Sequence, residues 1–61
     1  MKSKKLLREI DGAMMDETQA KNYYNKMLKN IKDKDERAKI IEIRNDEIDH
    51  FKKLKRMKKR Y

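Results

Sequence analysis

Stepping along the first half of the chain by alternating three and four residues touches Ser3, Leu6, Ile10, Ala13, Glu17, Ala20, Tyr24, Met27 and Ile31. Six of these nine are plainly apolar, and Tyr24 is amphipathic. The second half repeats the spacing through Glu36, Ile40, Ile43, Glu47, His50, Leu54, Met57 and Tyr61. Both runs are heptad patterns of the kind that packs helices side by side. Leu7, Met14 and Leu28 widen the first stripe, and Ile41, Ile48 and Phe51 widen the second. Stripes this wide suit a four-helix core better than a two-stranded seam. The pattern therefore predicts a helix over about 4–31, a turn over about 32–34 and a second helix over about 34–60, forming one two-helix unit across residues 1–61. Asp33 and Asp35 both suit the N-cap of the second helix, and Glu36 adds favourable charge to its first turn. The short connection folds the helices back as an antiparallel hairpin. Asp11-Gly12 is an internal breaker signal, but the heptad runs through it in register, which favours one continuous helix.

Composition bears on whether such a hairpin stands alone. Hydrophobic residues make up 36% of the chain and charged residues 49%, with a net charge of +8 and no cysteine. A chain of 61 residues buries a small share of its surface, so it draws stability from disulfides, metal or a partner. Lack of cysteine leaves metal or oligomerisation. High charge is also a mark of disorder, but disordered chains lack this periodicity. No apolar run is long enough for a transmembrane span or a signal-peptide core, and a cytoplasmic protein is expected.

Three polar residues, Glu17, Glu47 and His50, occupy seam positions among Ile, Ala, Leu and Met. A lone carboxylate there carries a desolvation penalty of several kcal/mol. Glu17 lies 15 residues before Lys32 and Glu47 lies 15 after it. At about 1.5 Å per residue, both stand roughly 22 Å from the turn on facing helices. His50 follows Glu47 by three and projects from the same face. Two hairpins packed antiparallel about a two-fold axis would bring both triplets to one level, assembling four carboxylates and two imidazoles. Two divalent cations neutralise such a cluster, and the donor set suits Fe, Mn or Zn. A polar layer fixing helix register and a solvated helix edge are the competing readings.

The segment Glu17-Thr18-Gln19-Ala20-Lys21-Asn22-Tyr23-Tyr24 resembles the first metal-binding helix of rubrerythrins, and Arg44-Asn45-Asp46-Glu47-Ile48-Asp49-His50 resembles their second. The 30-residue spacing from Glu17 to Glu47 and the two-helix length look most like encapsulated ferritins, in which one chain is half a ferritin. The resemblance covers roughly residues 13–60. It implies an all-α antiparallel hairpin that dimerises, or assembles further, into a ferritin-like four-helix bundle. It also implies two Fe per dimer, with Glu47 bridging, Glu17 terminal and His50 completing each set, and oxidation of Fe(II) by dioxygen or peroxide at a site shared between chains. Encapsulated ferritins usually continue toward a compartment-targeting tail, whereas this chain stops at Tyr61, so an encapsulin shell is not expected.

Two further residues have candidate supporting roles. The Tyr24 phenol is placed to hydrogen-bond a ligating carboxylate, Glu47 above all, or to cap the core with its hydroxyl in water. Asp46, four residues before His50, is placed to hold the imidazole N–H or simply to carry a solvated charge. Lys2, Lys4, Lys5 and Arg8 begin the first helix, while Lys52, Lys53, Lys55, Arg56, Lys58, Lys59 and Arg60 finish the second. The hairpin brings these together as a basic pole. That pole complements the second helix dipole or contacts a polyanion. The competing function is accordingly a basic helical module binding nucleic acid or another polyanion, with the triplet as a structural polar or zinc site.

Overall fold

The computed structural model describes residues 3–60. Lys2, expected in the basic pole, and Tyr61, the last position of the second heptad run, lie outside the described residues. The described residues form two helices, α1 (Lys4–Leu28) and α2 (Lys34–Lys59), and no strand. Ser3 opens α1 as its N-cap, its Oγ accepting from the Leu6 N–H at 3.2 Å. The sequence pattern had placed Ser3 in the seam; its hydroxyl instead satisfies one of the helix's unpaired donors. Of the two candidate caps for α2, Asp33 takes the position and accepts from the Glu36 N–H at 3.2 Å. Asp35 and Glu36 follow in the first turn, where they face the positive end of the helix dipole. Gly12 sits inside α1 without a positive φ.

The first helix ends at Leu28, three residues short of the boundary that the heptad suggested. Arg37, at the end of the first turn of α2, accounts for the difference. Its Nη1 donates to the Leu28 carbonyl and, at 2.9 Å, to the Ile31 carbonyl. Backbone acceptors released at the helix end are thus met by a side chain across the turn. Ile31 keeps its half-buried apolar side chain although its backbone has left the helix.

The antiparallel register is fixed by pairs spaced along the rod. Arg44 Nη1 donates to Asn25 Oδ1 at 3.0 Å, His50 meets Glu17, and Lys58 Nζ lies 2.7 Å from Asp11 Oδ1. The hairpin measures 50 × 14 × 10 Å, one layer of two helices. Such a layer encloses little, and Ile10 is the one buried residue among those described. Three large apolar seam side chains stay open among the described residues: Leu6 at 37%, Ile43 at 40% and Met57 at 44% exposure. Leu6 shares a seven-residue line with Ala13, Ala20 and Met27, and Ile43 and Met57 share another with Glu36 and His50. Neither described helix is long and apolar enough to cross a membrane.

Candidate metal centre

Heptad spacing turns Glu17 on α1 and both Glu47 and His50 on α2 toward the facing helix. Glu17 stands 13 residues past the start of α1 and 11 before its end; Glu47 stands 13 past the start of α2 and 12 before its end. The triplet therefore sits at mid-height. One ligand atom from each of Glu17, Glu47 and His50 lies within 4.8 Å of the others. His50 Nδ1 is 3.6 Å from Glu17 Oε2, too long for a hydrogen bond. Cations with bonds of about 2.0–2.2 Å to oxygen and nitrogen hold adjacent ligands roughly 3–4 Å apart, so the gap is the size that shared coordination requires.

Burial is uneven across the three. The Glu17 side chain is 21% exposed and that of His50 is 54% exposed, with Glu47 between buried and open. Within one chain the triplet is thus a half-open cluster, since a single layer of helices leaves the His50 side uncovered. Glu17 Oε2 is itself inaccessible to water and has no hydrogen-bond partner while both carboxylates are ionised. Hydrogen bonding to Glu17 raises Glu47 above its ordinary value of 4.5, aided by desolvation and by the Glu17 charge, and opposed by His50. A water-inaccessible carboxylate oxygen without a donor, beside a second carboxylate whose ionisation is disfavoured, is a site short of positive charge. A divalent cation supplies it, and the donor set of two carboxylates and an imidazole fits Fe, Mn or Zn.

Tyr24 and Asp46 stand apart from this cluster. Tyr24 is half-buried, two turns beyond Glu17, and its ring meets Tyr23 edge-on at 6.0 Å between centroids. Asp46 is exposed, and neither residue hydrogen-bonds the triplet among the described residues. Two features beside the site escaped the sequence reading. Arg44 reaches across to Asn25 one turn from Glu47, with its Nε buried and unpartnered. A groove of about 340 Å³ opens next to the carboxylates, lined by Glu17, Glu47, Phe51, Lys21, Lys52 and Lys55. Lys21 is four residues from Glu17, so helical spacing alone marks it as a neighbour of the site.

No protein-family model matches the chain, and neither a curated protein nor a solved structure matches it.

Proposed function

We propose that the chain is half of a ferritin-like di-iron carboxylate protein, which oxidises Fe(II) with dioxygen or peroxide at a site completed by a second copy. The reading rests on the convergence of Glu17, Glu47 and His50 around an orphaned, water-inaccessible carboxylate oxygen. One chain offers two carboxylates and one imidazole; two chains offer four and two, enough to hold two metal ions. Mid-height placement on both helices supports antiparallel pairing, because a two-fold axis through that level brings the triplets together. The open line through Ile43, His50 and Met57 supplies apolar surface for the contact on the side where His50 is bare.

Two Fe(II) ions together give up two electrons, enough to reduce dioxygen to hydrogen peroxide or peroxide to water. The chain's own groups then have distinct tasks. Glu17 and Glu47 would neutralise the metal charge, with the unpartnered Glu17 Oε2 among the oxygens that would hold it. His50 would hold a metal as neutral imidazole, leaving its second nitrogen to a hydrogen-bond acceptor. Mn or Zn would satisfy the same donors, and Zn would do so without redox chemistry.

Anaerobic titration with Fe(II), followed by admission of air, tests the reading. Saturation at about one metal per chain is expected, with assembly to a dimer or larger and oxygen uptake in proportion to iron bound. Absorbance, oxygen consumption and mass in solution provide the readouts. Failure to bind iron stoichiometrically overturns the proposal; stoichiometric binding without oxidation reduces it to a structural metal site.

A further inference from the structure

The last nine residues before Tyr61 hold seven cations: Lys52, Lys53, Lys55, Arg56, Lys58, Lys59 and Arg60. Helix dipole compensation accounts for the last turn, Arg56, Lys58 and Lys59. It does not account for Lys52, Lys53 and Lys55, which lie farther back. No acidic residue follows Asp49. Cations therefore meet cations at three- and four-residue spacing (Lys52 with Lys55 and Arg56, Arg56 with Lys59 and Arg60), an arrangement that opposes the helix carrying it. Only Lys58 has a carboxylate within reach among the described residues, namely Asp11 on α1.

Helical rotation of about 100° per residue sorts these side chains. Leu54 and Met57 fall on the side of α2 that carries Glu47 and His50, the side that meets α1. Lys52, Lys53, Lys55, Arg56, Lys59 and Arg60 spread over an arc of roughly 160° on the opposite side. All six are exposed, and no apolar residue lies among them. Helices that lie in a bilayer surface need a continuous exposed apolar face to insert, and here Leu54 is half-buried and Met57 alone is open, outside the cationic arc. Aromatic side chains for stacking single-stranded bases are missing from this arc as well. What the arc offers is a dense row of point charges, about one every two ångströms of helix, against a duplex with one phosphate charge per roughly 1.7 Å of axis.

We propose that the outer face of the C-terminal turns of α2 binds the phosphate rows of double-stranded nucleic acid without regard to sequence. Lys52 and Lys55 also line the groove beside Glu17 and Glu47, whereas Lys53, Arg56, Lys59 and Arg60 do not, so the last four carry the inference apart from the metal centre. Six phosphate contacts predict an affinity that falls about a thousandfold between about 50 and 200 mM salt. The triple variant Lys53→Gln/Arg56→Gln/Lys59→Gln, which also relieves like-charge repulsion in the helix, should fall about fortyfold over the same range. Fluorescence anisotropy with a labelled mixed-sequence duplex reads both slopes, with circular dichroism confirming helix content and metal analysis confirming unchanged iron loading. Lys53→Arg/Lys59→Arg should keep the original slope. The proposal is overturned if wild-type binding is absent or insensitive to salt, or if the glutamine variant matches wild type. Tighter association with vesicles of anionic phospholipid than with duplex at equal salt overturns it too.

Discussion

The carboxyl of Glu47 is held above its ordinary value of 4.5 chiefly by its hydrogen bond with Glu17. A group raised in this way favours the metal-free fold below its unfolded value, and that contribution is lost as pH rises through the raised folded value. Metal binding runs the other way, because the ligand must lose its proton first. Glu47→Gln isolates the two trends. Without metal the variant should melt with wild type in acid and above it at neutral pH; with metal it should melt below wild type at neutral pH. Thermal melts across pH, with and without chelator, check both signs. Glu17→Ala extends the argument. It removes a buried acceptor that lacks a donor, a defect worth about 1–3 kcal/mol, and installs the best helix former. We expect the metal-free variant to melt at or above wild type while binding no metal, and His50→Ala to lose metal likewise. Full metal content in either variant, measured by elemental analysis, would remove that residue from the ligand set. The triplet was legible in the sequence because charge at a seam position is costly and the two glutamates stand equally far from the turn. Its half-open state was not, since heptad positions say which side chains face inward but not how much one neighbouring helix covers. Arg44–Asn25 was illegible for a related reason: spacing names a position without naming its partner across the hairpin.

Both helices followed from periodicity, and their ends followed only where a local cap marks them. Asp33 is such a cap, two residues ahead of an acidic first turn. The end of α1 depends on Arg37, nine residues past Leu28 in sequence, so no local signal announces it. These elements make separate predictions. Gly12 lies in α1 without a positive φ, and a Cβ built there meets nothing within 4 Å. Gly12→Ala should therefore stabilise the hairpin by about 0.5–1 kcal/mol through the unfolded chain's lost freedom and better helix propensity. For a chain of this size each kcal/mol corresponds to roughly 4–8 °C in melting temperature. Asp33→Ala should cost about 1 kcal/mol by leaving the Glu36 N–H without its acceptor. Thermal melts of the two variants, which sit more than 20 Å apart along the rod by the roughly 1.5 Å rise per helical residue, should show opposite shifts. The double variant should land near wild type, because sites so far apart contribute independently.

The whole molecule exposes 5353 Å². A compact monomer of 7.5 kDa would expose about 4,200 Å², so the hairpin carries roughly 1,100 Å² in excess. That excess is more than the roughly 800 Å² per partner that a standard protein interface buries. Charge favours one orientation for such pairing. Residues 3–16 and 48–60 hold ten cations against four carboxylates, whereas residues 17–47 hold eight against seven. Parallel pairing would set one strongly basic end beside another. Antiparallel pairing sets it beside the nearly neutral turn end, and the same arrangement brings the mid-height triplets together. If the partner completes the site, activity must follow assembly. Ile43 is open in the hairpin, so Ile43→Lys should leave the single chain folded yet place a charge in the contact between copies. Ile43 lies one turn from Glu47, so Leu6→Lys supplies the control: it is equally open but 11 residues before Glu17, about 16 Å along the helix. Both variants should sediment as monomers, lose stoichiometric metal and stop consuming oxygen with Fe(II), although all three ligands are intact. Raising protein concentration should restore all three properties together by mass action. A folded monomer that oxidised iron at the wild-type rate would show that one hairpin suffices, and the shared site would have to be abandoned.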